Sequence, residues 1–201
     1  MECKLENHVF SAIFRLSPIT HLAAAALAFG GFQWVKGRLD TSYAASGHPV
    51  DYATGQLAFD ARLIEGYYAH MIEAGTLQVY WQTQFIDFGF IAAVMIVAVL
   101  FGTLAARFGG RINRLGVWGW NLGLAAAFLG VSGAAFDALE NLLSFMMLAS
   151  SHTIPQPLAL AYSTAAAVKF ALLTTAMFSL LLSLMAGAAG KIQSAVSRAR
   201  R

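Results

Sequence analysis

Four stretches of this chain, residues 18–35, 85–106, 117–148 and 158–186, run long and nearly free of charge, and they decide what it can become. A helix needs about 20 predominantly apolar residues to cross roughly 30 Å of hydrocarbon. Lipid offers no water to the backbone, so such a stretch must satisfy its own N–H and C=O groups, as an α-helix does. Composition agrees: of 201 residues, 58% are hydrophobic and 11% charged, whereas a soluble domain carries about a quarter charged. The expected fold is all-α: a single membrane domain, a polytopic four-transmembrane-helix bundle. Residues 36–84 form a long outer connection and 187–201 a basic tail.

Ser17 is placed to cap the first helix and Pro18 to take its first position. Glu2 and Glu6 accompany Lys4 and Arg15 before that stretch, and no small-x-small site follows it, so it reads as a span rather than a cleavable leader. Basic residues orient the spans. Lys4 and Arg15 precede the first; Arg107, Arg111 and Arg114 fill the second connection; Lys191, Arg198, Arg200 and Arg201 follow the last. The third connection, 150–157, has none, and the first sets Lys36, Arg38 and Arg62 against Asp40, Asp51, Asp60, Glu65 and Glu73. The expectation is four crossings with both termini cytoplasmic, in a bacterial inner membrane. Trp34, Trp81, Trp118 and Trp120 all fall at segment ends, where amphipathic rings favour the headgroup zone.

Within the long connection, Gly47-His48-Pro49 marks a turn. Leu57, Ala61, Ile64, Tyr68, Met71 and Ile72 then recur at helical spacing up to Gly75, a C-cap candidate. An amphipathic outer helix over about 54–74 is predicted, lying on the membrane face or over the bundle mouth as a packing cap or a lid.

Several activities lack the residues they require. The single cysteine, Cys3, excludes an intrachain disulfide or a CxxC redox pair. His21 is the only histidine in a span, so haem ligation at two depths is not expected. His48, His70 and His152 lie outside the spans, and only His70 with Glu73 has a helical i, i+3 spacing; no metal or other cofactor is expected. No GxSxG occurs, and Gly109-Gly110 is a turn between arginines. The basic residues, giving a net charge of +3, flank spans rather than forming a stripe, so the expected partner is membrane lipid, held in part by the basic tail, and not nucleic acid.

Chemistry concentrates in Asp137-Ala138-Leu139-Glu140-Asn141. At 100° per residue Asp137, Glu140 and Asn141 share a face with Gly119, Gly123, Ala126, Gly130 and Gly133 on one side and Ser144 on the other. Small residues permit close helix approach in lipid, so this face should turn inward. Lys169 lies in the fourth segment at a matching depth, about 18–20 Å along the helix from the 150–157 hairpin, as does Asp137. A lone charge at mid-bilayer costs about 2.5–3.5 kcal/mol on insertion scales. The expectation is a network in which Lys169 bonds Asp137 or Glu140, Asn141 satisfies the remainder, and one carboxyl, Glu140 by preference, holds a proton. Asp87, one turn into the second segment, joins from the rim with Tyr80 and Gln84.

The pattern resembles a group of uncharacterised bacterial four-helix membrane proteins with a long segment between the first two helices. Its marks are an aspartate near the start of the second, a D-x-x-E-N in the third and a lysine in the fourth: here Asp87, Asp137 with Glu140 and Asn141, and Lys169. That resemblance implies an architecture and no activity. A second, looser likeness is to the emopamil-binding-protein and sigma-2-receptor group, which binds cationic amphiphiles or isomerises sterols through buried carboxylates. Here, in contrast, two acids share one helix opposite a lysine.

Three roles follow for the network. It is structural, or binds a small amphipathic or lipid ligand; it is the centre of an intramembrane enzyme acting on a lipid or isoprenoid, with Asp137 or Glu140 as catalytic acid or base; or it belongs to an accessory or proton- and ion-transport subunit. Four helices make a cramped pathway, so transport implies a homo-oligomer or a larger membrane complex.

Overall fold

Six helices make up most of the residues described by the computed structural model, which are 11–200; no strand forms among them. The residues Glu2, Cys3, Lys4, Glu6 and Arg201 lie outside that range. The helices are α1 (Pro18–Ser46), α2 (Tyr52–Gln56), α3 (Ala61–Glu73), α4 (Leu77–Gly109), α5 (Arg114–Ala149) and α6 (Gln156–Ala199). Three of them, α4, α5 and α6, are long and apolar enough to cross a membrane, as an integral membrane protein requires. The first stretch, interrupted by Thr20, His21 and Gln33, is not among those three.

Every long helix outruns its apolar stretch. α1 continues past residue 35 to Ser46 and α6 past residue 186 to Ala199, because leaving the hydrocarbon ends the need for apolar side chains and not the hydrogen-bond ladder. Its start is as predicted: Ser17 Oγ accepts from Thr20 N at 3.1 Å, with Pro18 as the first helical residue. Gly75 (φ 70°) closes α3 as predicted, with Thr76 N donating to Met71 O at 2.8 Å.

The predicted helix over 54–74 is instead two helices. Asp51 caps α2, accepting from Thr54 N at 3.1 Å, and Asp60 caps α3, accepting from Arg62 N at 2.9 Å. Between them Phe59 adopts φ 54°, a left-handed conformation that costs a residue with a Cβ about 1–2 kcal/mol. Three hydrogen bonds to α6 side chains hold it. Phe59 N donates to Ser163 Oγ (3.0 Å), Gln156 Nε2 donates to Phe59 O (2.9 Å), and Ala61 N donates to Gln156 Oε1 (2.9 Å). Leu57 and Ile72, which the helical spacing groups with the buried residues, are exposed, Leu57 just before the break and Ile72 at the end of α3.

The described residues form two compact units, each drawing on the long helices. One comprises the described part of Met1–Gly30 with Met95–Val131 and Leu172–Arg201. Its helices meet through small residues. A Cβ built on Gly123 would stand 2.5 Å from Ala106 N and 2.7 Å from Gly102 O, and one on Gly102 2.6 Å from Gly123 O. Backbones this close exclude any side chain, and where α6 meets α5 Ser183 Oγ donates to Gly119 O at 2.6 Å. His21 is fully buried here, its Nε2 3.1 Å from Leu100 O and 3.2 Å from Thr103 Oγ1. The predicted turn at Gly109-Gly110 is present, with Gly110 at φ 63°.

The other unit comprises Gly31–Val94 and Ser132–Ala171. Its core joins Ile64, Tyr68 and Met71 of α3 to Tyr80, Met147, Leu148, Ile154 and Tyr162. The outer helix thus packs over the ends of α4, α5 and α6 in this unit as a cap, tied further by Ile154 N donating to Glu65 Oε1 at 2.6 Å.

Candidate functional site: a buried lysine and an acidic, tyrosine-lined cavity

The inward stripe of α5 is buried at every predicted position: Gly119, Gly123, Ala126, Gly130, Gly133, Asp137, Glu140, Asn141 and Ser144. Within the unit that contains the cap, the geometry brings Asp137, Glu140, Asn141, Lys169 and Asp87 together. Lys169 Nζ donates to Asp137 Oδ1 at 3.0 Å and to Glu140 Oε2 at 2.5 Å. Its third proton goes to Gln56 Oε1 at 3.0 Å. An ammonium has three donors and no acceptor, so these three bonds satisfy Lys169 completely at 4% exposure. Nothing local in the sequence singles out Gln56 beyond its being a polar residue in a short run after the Pro49 turn. It reaches the lysine because α2 stops at Gln56 and the strained Phe59 link turns the chain away.

A second bond continues the network: Asn141 Nδ2 donates to Asp87 Oδ2 at 2.7 Å. Asp87 therefore joins from the second segment through Asn141. A polar cavity of about 10 Å3 adjoins it, lined also by Tyr43, Tyr52, Tyr80, Tyr162, His48 and Gln84. That volume is about what one water requires. The lining takes in Asp87 and not Asp137 or Glu140. Tyr80 and Gln84 are where the helical register of α4 predicted them; the other tyrosines come from α1, α2 and α6, and nothing local in the sequence links them.

The rings form a connected cluster. Tyr43 stacks on Tyr52 with centroids 3.7 Å apart, and His48 lies 5.3 Å from Tyr80 and 5.1 Å from Tyr67. Tyr43 Oη donates to Val50 O at 2.8 Å, and Tyr52 Oη donates to Leu39 O at 3.2 Å. Burial, reinforced by the nearby Asp51 charge, raises the Tyr43 phenol above its usual range, so it remains a donor. Burial also raises Tyr52. His48 Nδ1 sits 2.9 Å from both Tyr43 Oη and Val50 O.

Burial depresses His48 below the ordinary histidine range, outweighing its bond to Val50 and the Asp51 charge, with His70 adding to the depression. The unfolded chain therefore takes up this proton first as pH falls below about 6.5. Stability from this residue is full above that pH and declines toward the lower folded-state value, by at most about 1.4 kcal/mol per pH unit. Melting temperature in detergent between pH 7.5 and 5.5 should fall more steeply for the natural chain than for His48→Asn. Parallel pH curves would contradict this assignment.

Among the described residues no three of His, Cys, Asp and Glu are grouped as a metal would require. His70 and Glu73 both lie in the last turn of α3, with no third ligand beside them. Compared with protein-family models, curated proteins and solved structures, the chain matches none.

Proposed function

We propose that the chain is a four-span integral membrane protein in which Lys169 clamps the interior and Asp87 offers a lidded binding site for the cationic head of a small amphiphile. α1 supplies the fourth crossing in this reading, and the Lys and Arg distribution places both termini on the cytoplasmic side. The arrangement is that expected of the bacterial four-helix group sharing Asp87, the Asp137 to Asn141 motif and Lys169.

The observation that carries the binding role is Asp87 itself. Among the described residues it has one side-chain partner, Asn141, and it borders a cavity lined in part by four phenol rings, those of Tyr43, Tyr52, Tyr80 and Tyr162. A carboxyl with spare acceptor positions beside aromatic faces suits an ammonium, which ring quadrupoles attract. Lys169, with all three protons engaged, suits the clamp instead. Acid–base catalysis by Asp137 or Glu140 would first require Lys169 to release one of them. The cavity is too small for a head larger than water, so binding entails displacement of the cap at its Gln56 to Phe59 link.

The test uses the full chain in a neutral maltoside. Dodecylamine should raise its melting temperature and dodecanoate should not. Asp87→Asn should weaken the amine response at least tenfold while leaving the folded yield near that of the natural chain. An unchanged response in a well-folded Asp87→Asn protein would remove Asp87 from the site.

A further inference from the structure

The unit built from Met95–Val131 and its partners contains a larger feature, distinct from the Asp87 cavity. A half-open groove of about 580 Å3 is walled by Leu22, Phe101, Leu104, Phe108, Leu180 and Leu184, with Arg107 and Lys191 as its charged lining residues. The volume lies within the usual range of about 300–1,000 Å3 for small-molecule sites.

Two observations identify what the groove would take. Arg107 is half-satisfied: Nη2 donates to Phe14 O at 3.2 Å and Leu16 O at 2.7 Å, whereas Nη1 is buried with no hydrogen-bond partner among the described residues. A buried guanidinium nitrogen without an acceptor is costly, and an anion would relieve it. Lys191 Nζ stands 3.7 Å from the centre of the Phe108 ring, which holds the amine at the groove rather than free in solvent.

The lengths also match. Leu180 and Lys191 are eleven residues apart on α6, about 16 Å along a helix, which is close to half of a hydrocarbon layer of roughly 30 Å. The groove is therefore one leaflet deep, apolar along its length and cationic at one end. α6 has 44 residues and outruns the layer, so Lys191 falls near the headgroup boundary.

We propose that this groove is a binding site for an anionic glycerophospholipid of the surrounding leaflet. The phosphate takes the free valence of Arg107 together with Lys191, and an acyl chain lies along Phe101, Leu104, Leu180 and Leu184. Bilayer lipid is the abundant amphiphile at that depth, and a zwitterionic lipid would bring its own ammonium against two cations.

Native mass spectrometry of the full-length protein with added phosphatidylglycerol or phosphatidylcholine tests this. Phosphatidylglycerol should be retained at least fivefold better. Lys191→Gln should lower its retention by about fivefold, the effect of removing one cation near a headgroup. Lys191 is exposed, so this variant keeps the fold. Arg107→Gln should lower retention further, but it also breaks the bonds to Phe14 and Leu16. Leu180→Trp, which fills the deep end and leaves both cations, should reduce retention of the lipid as well, while Arg62→Gln, an exposed cation of α3 outside the groove, should not. Equal retention of the two lipids, or unchanged retention in both Lys191→Gln and Leu180→Trp, would overturn the proposal. Displacement of the lipid by inorganic phosphate with Leu180→Trp silent would also overturn it, leaving an anion site with no lipid role.

Discussion

Lys169→Met is expected to be the most damaging single substitution in this protein, lowering stability by about 3–5 kcal/mol, the usual effect of removing one partner of a buried ion pair. Methionine fills much of the same volume, so lost packing is a small part of that figure. The damage comes from Asp137 and Glu140, which at 5% and 1% exposure would face each other without the amine that bridges them. Gln56 would lose its partner as well, loosening the end of α2 and the strained turn at Phe59. The triple variant Lys169→Met, Asp137→Asn, Glu140→Gln should recover most of the loss, because amides can bond one another and leave no bare charge. A double-mutant cycle in mixed micelles, read as unfolding free energy and as monodisperse yield, measures the coupling. A Lys169→Met protein with natural yield and melting behaviour would show that the amine does not hold the interior together.

The second large effect is expected at Gly123. Substitution by leucine should destabilise by about 3 kcal/mol or more, at or above the upper end of ordinary overpacking. The obstacle is backbone on both sides: Ala106 N and Gly102 O lie within 2.7 Å of where Cβ would be. Flexible side chains could turn aside, but two helix backbones can only separate, and separation forfeits dispersion contacts along the whole seam. Gly123→Ala should already lower the melting temperature. Gly37→Ala is the control. Nothing lies within 4 Å of a Cβ at Gly37, so that change should be neutral or stabilising by up to about 1 kcal/mol through helix propensity. If Gly123→Ala and Gly37→Ala melt alike, close approach at this crossing does not matter to stability.

These two sites differ in how they could be read beforehand. Gly123 is one of a series at helical spacing, and periodicity alone places the series on one face. The meeting of Lys169 with Asp137 and Glu140 was also legible, because counting residues from a shared hairpin sets depth, and charges at equal depth in lipid have few other partners. Gln56 was not legible. It lies 113 residues from Lys169 in the chain, in a connection where water is available and nothing obliges a polar residue to turn inward. The break at Phe59 was hidden for a related reason. Leu57 to Ile72 keeps a helical period through it, and only the bonds from Ser163 and Gln156, some hundred residues away, make a left-handed residue there tolerable.

The amino-acid sequence by itself determined that this chain is helical and suited to lipid, where its first helix begins, which face of α5 turns inward and which charges must pair. Each of these follows from a local or one-dimensional constraint: backbone groups that need bonds, caps that need acceptors, and charges that cannot stay alone at a given depth. Only the tertiary structure decided the third acceptor of Lys169, the ring of tyrosines beside Asp87 and the groove closed by Arg107 and Lys191. Those depend on which side chains from separate helices converge on one volume, and helical periodicity specifies a face without specifying what stands opposite it.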